Sequence, residues 1–168
     1  VGTTVVISGS NFNAATGVSF HVTAATSFTV NSNTQITATV PAGTTTGAVT
    51  VTTPGGTSNG VTFTVAAPVI TAVTPGSGQV GNTVVISGSN FTGATGVSFH
   101  GTAATTFTVD SNTQITAIVP VGATTGAVTV TTSGGTSNGV TFTVNPPPTI
   151  TSFSPTSGQP LGTVVITG

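Results

Sequence analysis

The chain alternates apolar and polar residues over much of its length. In Val128-Thr129-Val130-Thr131 and in Val140-Thr141-Phe142-Thr143-Val144, threonine separates each apolar residue from the next. Successive side chains of a β-strand point to opposite faces, so this period of two predicts strands with one buried and one exposed face. The spacing of an amphipathic helix is not sustained in any segment. The pattern therefore predicts an all-β protein.

The alternating pattern is itself repeated along the chain. Residues 1–12 return as residues 80–91, which is 79 positions later, and ten positions differ over the 65 aligned residues. A third copy opens at Pro148, which is 80 positions after Pro68. Each copy of such a repeat is expected to form one structural unit. The predicted units are 1–66, a repeat that lacks its first strand; 67–145, a complete repeat; and 146–168, the first two strands of a third repeat.

Clusters of Gly, Pro, Ser and Asn interrupt the apolar runs roughly every 8 to 12 residues, which is typical of a β-sandwich. In the complete repeat, seven strands are predicted near 68–74, 82–88, 96–100, 104–109, 113–119, 126–132 and 139–144. Alternation predicts that the valines and the phenylalanine of the last two strands face the core and that their threonines face solvent. The inward residues are Val128, Val130, Val140, Phe142 and Val144, and the outward ones are Thr141 and Thr143. Three further aromatic residues are expected to fill the centre, namely Phe91, Phe99 and Phe107.

Several motifs resemble those of the IPT/TIG domain, an immunoglobulin-like fold of bacterial surface proteins, plexin-type receptors and some transcription factors. The motifs are Pro68-x-Ile70, Pro75-Gly76-Ser77-Gly78, Gly81-x-x-Val84-x-Ile86-x-Gly88-Ser89-Asn90-Phe91, Val97-x-Phe99, Ile115-x-Ala117-x-Val119-Pro120, Gly126-x-Val128-x-Val130 and Gly134-Gly135-x-Ser137-Asn138. The resemblance covers the whole chain. It implies tandem immunoglobulin-like (IPT/TIG) β-sandwich repeats, and the short Pro-containing linkers between the repeats are expected to arrange them as an elongated rod. Domains of this family usually have glycine after the aromatic residue of the third strand, where this chain has His21 and His100, so that turn is expected to differ.

Charge is almost absent, and this narrows the classes of function. The chain has no Lys or Arg, and Asp110 is its only acidic residue, so charged residues make up 1% where about 25% is usual. We do not expect the protein to bind nucleic acids, because affinity for phosphate comes mainly from Lys and Arg. The apolar runs are also too short to cross a bilayer.

The sequence predicts no catalytic, cofactor-binding or metal-binding residues. His21 and His100 are the only imidazoles, one in each repeat, whereas a metal site needs several convergent ligands. Asp110 is matched by Asn31 in the first repeat, which leaves no repeated acid for a catalytic triad or a carboxylate pair. Both histidines and Asp110 are interpreted as turn or surface residues, and the phenylalanines as core. The protein is therefore not expected to be an enzyme.

An uncharged surface favours association, since charges normally keep proteins apart and block exposed strand edges. The Pro-containing linkers at 66–68 and 145–148 are expected to be semi-rigid. We therefore predict a secreted, bacterial or archaeal structural protein, the repeat unit of a cell-surface filament, stalk or adhesin shaft, with copies of itself as partners. The alternative is a carbohydrate- or receptor-binding module of a larger secreted protein, with cell-surface polysaccharide as partner.

Two ways of joining copies follow from the repeat pattern. Residues 146–159 of one molecule can supply the first strand of the sandwich in the next, because a sheet edge accepts an added strand. However, Pro160 to Gly168 correspond to Val1 to Gly9, so the donor also brings a strand that the acceptor already has. We therefore favour one continuous polypeptide of many repeats over strand donation.

Overall fold

A computed structural model describes residues 2–160 and 162–167. Val1, Leu161 and Gly168, which the sequence assigns to the first and third repeats, lie outside the described residues. The regular secondary structure of the described residues consists of β-strands. In this part of the chain there is no helix with the length and apolarity of a membrane span.

Eight strands lie in the first repeat: β1 (Thr4–Ser8), β2 (Gly17–Phe20), β3 (Thr23–Ala24), β4 (Ser27–Ser32), β5 (Gln35–Thr39), β6 (Gly47–Thr53), β7 (Gly56–Thr57) and β8 (Val61–Phe63). Ten lie in the second: β9 (Val69–Thr74), β10 (Ser77–Gly78), β11 (Thr83–Ser89), β12 (Gly96–Phe99), β13 (Thr102–Ala103), β14 (Phe107–Ser111), β15 (Gln114–Ile118), β16 (Gly126–Thr132), β17 (Gly135–Thr136) and β18 (Val140–Val144). The last two are β19 (Ser152–Ser154) and β20 (Val165–Thr167).

The second repeat is a sandwich of two sheets. One sheet has the order β14-β15-β11-β9, and the other has the order β10-β18-β16-β12-β13, with β17 also paired to β16. All of these pairs are antiparallel except β10 with β18, which is parallel. The predicted immunoglobulin-like all-β fold is thus confirmed.

The alternating residues of the second repeat face its core as predicted. Val128 and Val130 are fully buried, and Phe142 packs edge to face against Phe99 with ring centroids 5.6 Å apart. The flanking valines of β18, Val140 and Val144, are half-buried against the same cluster, while the intervening threonines are exposed. Phe91 and Phe99 are buried as expected. The expectation for Phe107 is wrong, because its ring is half-buried at the margin of the core.

Three short strands were not predicted, and one predicted strand begins later than expected. Of the segment expected at 104–109, only residues 107–109 are in a strand, as the start of β14. β10, β13 and β17 are two residues long. A period of two cannot be recognised in two residues, so only the pairing with a neighbouring strand defines these elements.

The first repeat has the same two sheets with fewer strands in the described residues. One sheet has the order β1-β5-β4, and the other has the order β3-β2-β6-β7, with β8 also paired to β6. β1 is therefore an edge strand, whereas its counterpart β11 lies between β9 and β15. Core residues near this edge are less enclosed: Val5, Ile7 and Phe63 are only half-buried.

The third segment is an isolated antiparallel hairpin of β19 and β20. Ser152 pairs with Thr167, Phe153 with Ile166, and Ser154 with Val165. All three of its large apolar side chains are exposed, with Phe153 at 50%, Val165 at 64% and Ile166 at 62%. Phe153 thus differs from the expectation that the phenylalanines are core residues, because no sandwich covers this hairpin within the described residues.

Candidate functional site

His21 and His100 occupy equivalent tight turns after the third-strand aromatic residue. Both have left-handed backbone, with φ of 55° and 47°, which explains why glycine suits this position. The Nδ1 atom of His21 is hydrogen-bonded to Thr45 Oγ1 at 3.0 Å, and that of His100 to Thr124 Oγ1 at 2.9 Å. Each imidazole is thus held within its own repeat.

Each imidazole ring also fills the space that a side chain on a neighbouring glycine would occupy. A Cβ atom on Gly126 would collide with the ring of His100, and a Cβ on Gly47 would lie 2.5 Å from Cγ of His21. Within residues 2–160 and 162–167, no three His, Cys, Asp or Glu side chains converge as metal ligands do. The histidine positions therefore act in local packing.

Asp110 lies at a β-bulge, where the register of β14 with β15 shifts between Val109 and Ser111. Its Oδ2 atom accepts hydrogen bonds from Gln114 Nε2 at 3.2 Å and Thr116 Oγ1 at 2.7 Å. In the first repeat, Asn31 bonds to the equivalent pair, Gln35 at 3.2 Å and Thr37 at 2.6 Å. An amide and a carboxylate are interchangeable here, which favours a structural role for the position.

The feature that distinguishes the first repeat is an open apolar groove beside β1. We call it the β1 groove; its volume is about 400 Å³, and it lies between the edge strand β1 and strand β8. Val6 and Val61 at its rim are 61% and 68% exposed. The apolar residues that line it are Val5, Val6, Ile7, Phe12, Phe20, Val49, Val51, Val61 and Phe63.

In the second repeat, strand β9 fills the equivalent place. It pairs antiparallel with β11, and its Ile70 and Val73 are 2% and 8% exposed. Covered in this way, Val84 and Ile86 of β11 are completely buried, whereas the equivalent Val5 and Ile7 are half-buried. The β1 groove is therefore the place that β9 occupies in the second repeat.

In the second repeat, the side chain of an asparagine holds strand β9 in place. The side-chain amide of Asn138 accepts a hydrogen bond from Ile70 N at 2.8 Å and donates one to Ile70 O at 2.9 Å. The equivalent Asn59 lines the β1 groove, and its side-chain amide has no hydrogen-bond partner among the described residues. Asn59 thus stands at the position from which Asn138 holds β9 in the second repeat.

Backbone groups after β9 complete the contact with β18. Thr143 N donates to Gly76 O at 3.0 Å, and Asn145 N donates to Gly78 O at 2.8 Å, as part of the parallel pairing with β10. Thr64 of the first repeat corresponds to Thr143, whereas Ala66 stands where the second repeat has Asn145. Sequence analysis indicated that a first strand is missing, but only the structure shows these polar groups around its place.

The linker between the two sandwiches is fastened to the second repeat. Asn90 Nδ2 donates to Ala67 O at 3.0 Å, and Pro68 is buried. The carbonyl of Ala66 lies so close to Gly134 that any Cβ atom there would collide with it. These contacts hold the linker against the second repeat.

Together, the paired sheets, the shared core positions and the repeated turns define a tandem array of immunoglobulin-like β-sandwich domains. The chain belongs to the IPT/TIG domain family, whose model matches residues 1–65 and 68–144. No curated protein sequence shows significant similarity to the chain.

Several solved structures share this architecture. SGBP-B from a complex xyloglucan utilization locus in Bacteroides uniformis is 26% identical, with a TM-score of 0.44; the match covers 83% of this chain and 44% of that one. The plexin A4 extracellular region is 21% identical, with a TM-score of 0.48, and the match covers 92% and 15% of the two chains. A γ-CGTase from alkalophilic Bacillus clarkii is 25% identical, with a TM-score of 0.43, and the match covers 84% and 21%.

The chain spans less than half the length of each of these proteins. They include a protein of a glycan utilization locus, a receptor ectodomain and an enzyme, and none of the three is named as a filament protein. Their TM-scores are below 0.5, so the likeness carries no argument about what this chain binds or catalyses.

Proposed function

We propose that the chain is a non-catalytic structural segment of an extracellular protein, in which tandem TIG sandwiches form a stalk, shaft or filament at the cell surface. The observation that carries the proposal is the fastened linker. A carbonyl packed against Gly134, an Asn90 bond to Ala67 and a buried Pro68 fix the linker on the second repeat, which supports a junction with little freedom to bend. Stiff junctions between like domains are what a spacer requires.

Near-identity of the repeats supports the same proposal. A binding domain in such an array needs at least one surface that the other repeats lack. Only ten of the 65 aligned positions differ between the two repeats. One of these differences, Asn31 against Asp110, lies at a β-bulge that has the same register shift in both repeats. The repetition suits a uniform shaft.

The second candidate is a glycan- or receptor-binding module, in line with the glycan utilization protein among the similar structures. Sugar rings are commonly bound on exposed aromatic faces, but Phe153 is the one exposed phenylalanine of the described residues, and Trp and Tyr do not occur in the sequence. This candidate would place polysaccharide contacts on threonine-rich faces or loops.

Two measurements test the proposal. Small-angle scattering of the 168-residue chain should give one well-defined maximum dimension, and replacing Ala66-Ala67-Pro68 with Gly-Ser-Gly should broaden the distance distribution. Unchanged scattering after that replacement would contradict a linker-stiffened spacer. Affinity electrophoresis in xyloglucan and in mixed-linkage glucan should show no retardation, and retardation by either would favour the binding module.

A further inference from the structure

We propose that Asn138 is a deamidation site, and that its conversion to aspartate or isoaspartate loosens strand β9 in the second repeat. This inference goes beyond the proposed spacer function, because it assigns a covalent change to the chain. Asn138 precedes Gly139, and Asn59 precedes Gly60; these are the two Asn-Gly pairs of the sequence. Because glycine has no Cβ and an adaptable backbone, an Asn-Gly peptide lets the asparagine side chain reach the following backbone nitrogen.

The fold itself requires glycine after this asparagine. A Cβ atom on Gly139 would lie 2.7 Å from Cβ of Ala127, which belongs to the neighbouring strand β16. The equivalent distance from Gly60 to Ala48 is 2.6 Å, so both repeats exclude a larger residue at this position. The labile pair is therefore a consequence of how β16 packs against the residues that lead into β18.

The fold also requires an amide at position 138. Ile70 N donates to Asn138 Oδ1 at 2.8 Å, and Asn138 Nδ2 donates to Ile70 O at 2.9 Å. A side-chain amide offers both a donor and an acceptor, whereas an ionised carboxylate only accepts. Packing and hydrogen bonding thus place the reactive pair at the point where β9 is held.

Deamidation of this pair needs only water as a further reactant. Gly139 N loses its proton to solvent and forms a bond to Cγ of Asn138, and the bond from Cγ to Nδ2 breaks as Nδ2 takes up a proton and leaves as ammonia. Water then adds to either carbonyl carbon of the cyclic imide and opens the ring. Opening on one side gives aspartate and opening on the other gives isoaspartate, so water is taken up and ammonia is released.

In the folded repeat, the hydrogen bonds of Asn138 hold its side chain against β9. The amide has to leave Ile70 before Cγ can meet Gly139 N. The adjacent backbone is also held, since Ser137 Oγ donates to Asn138 O at 2.7 Å and accepts from Val130 N at 3.0 Å. We therefore expect the reaction to start from states in which β9 has moved away.

Such states are accessible because β9 is an edge strand. In the sheet order β14-β15-β11-β9, it has β11 on one side and, within the described residues, no strand on the other. Elements at the margin of a fold open locally at a lower free energy than the whole domain unfolds. When opening and closing are fast compared with the chemistry, the rate of modification follows the equilibrium population of the open form. The rate at Asn138 therefore reports how often β9 opens.

The product cannot hold β9 as the amide does. A carboxylate still accepts from Ile70 N but cannot donate to Ile70 O, so two acceptor oxygens face each other where the bond was 2.9 Å long. Ile70 is 2% exposed, and leaving a buried polar group unpaired is unfavourable. β9 follows directly on the linker at residues 66–68, so the change loosens the strand through which the linker enters the second repeat.

Deamidation rates of the 168-residue chain in native buffer and in denaturant give the first test. The chain has no Lys or Arg, so a protease that cleaves after phenylalanine separates residues 29–63 from residues 108–142, with one Asn-Gly pair in each. In denaturant the two pairs have the same neighbours and should react at the same rate, as measured by fragment mass spectra. In native buffer, Asn138 should react at least about tenfold more slowly, which corresponds to about 1.4 kcal/mol for the opening of β9. Equal rates at Asn138 in the two conditions would overturn the proposal.

Loosening β9 at another residue should speed the reaction. Ile70→Ala leaves the Asn-Gly peptide intact but removes most of a buried side chain from β9, so the rate at Asn138 should rise at least about tenfold. The control is Phe107→Ala on β14, at the opposite edge of the same sheet, which should leave the rate nearly unchanged. If Ile70→Ala unfolds the repeat, the smaller deletion Val73→Ala on the same strand replaces it. A rate that rises with neither β9 variant, or rises equally with Phe107→Ala, would contradict control by β9.

Asn138→Asp reproduces one product and tests its effect on β9. The backbone amides of β9 should exchange with deuterium at least about tenfold faster than in the parent. Asn31→Asp adds the same charge where the second repeat already has Asp110, so its β9 amides should exchange as in the parent. Parent-like exchange in Asn138→Asp would also overturn the proposal. Scattering from the unmodified chain is the same under either outcome, so this inference and the spacer function fail independently.

Discussion

The side-chain amide of Asn138 holds both backbone groups of Ile70, at 2.8 and 2.9 Å, across the two sheets of the second repeat. Asn138→Ala removes both hydrogen bonds and leaves the buried backbone of Ile70 unpaired, so we expect the second repeat to lose about 1–3 kcal/mol of unfolding free energy. The equivalent Asn59→Ala should change the stability of the monomer by less than about 0.5 kcal/mol. Chemical denaturation of both variants tests this difference, and equal losses would contradict it.

Phe142 and Phe63 offer a second matched pair. Phe142 is 1% exposed and packs against Phe99, whereas Phe63 is half-buried beside the β1 groove and packs against Phe20 at 5.4 Å. Phe142→Ala should cost about 3–5 kcal/mol, as other deletions of buried phenylalanine do, and Phe63→Ala should cost less. Urea unfolding checks the order. A Phe142→Ala variant that unfolds like the parent would show that the ring is not a core residue.

The fit of His100 against Gly126 predicts strong coupling between these two positions. Gly126→Ala should destabilise the second repeat by about 1–3 kcal/mol, because its methyl group collides with the imidazole ring. His100→Gly keeps the left-handed turn and removes the ring, so the double variant should recover most of the loss. A double-mutant cycle measured by thermal unfolding gives the coupling, and additive losses would disprove the collision.

Asp110 should tolerate replacement by its counterpart from the first repeat. Asp110→Asn restores the amide that Asn31 presents to Gln35 and Thr37, so the unfolding free energy should change by less than about 0.5 kcal/mol. Asp110→Ala removes both hydrogen bonds at the bulge and should be the more destabilising change. If the asparagine variant were as unstable as the alanine variant, the charge itself would be required.

Salt should have little effect on stability. With a formal net charge of −1 and no Lys or Arg, the chain offers almost no charge pairs to screen. Raising NaCl from 0.02 to 1 M shortens the Debye length from about 20 Å to about 3 Å, yet the melting curves should overlap. A midpoint that falls steeply over this range would reveal an electrostatic contribution that the sequence does not suggest.

The local pattern of the chain was sufficient to predict the strands and the core faces. Residues such as Val128, Val130 and Phe142 alternate with threonine, and a strand with one buried face requires this order, so no distant information was needed to assign their faces. The same holds for the family motifs, which lie within single turns and strands. By contrast, the burial of Phe107 at the core margin depends on the lengths of neighbouring strands. The formation of the two-residue strands depends on them in the same way.

The sequence by itself determined that this is a tandem β-sandwich protein with an uncharged, threonine-rich surface and no repeated set of catalytic groups. Only the tertiary structure decided how Asn138, Gly88 and β9 meet, because these residues are far apart in the chain and come together when the two sheets pack. It also decided that the same surroundings in the first repeat form an open groove, with Val6 and Val61 exposed at its rim. Whether a side chain is covered depends on which strand lies beside it, and a local pattern carries no information about that neighbour.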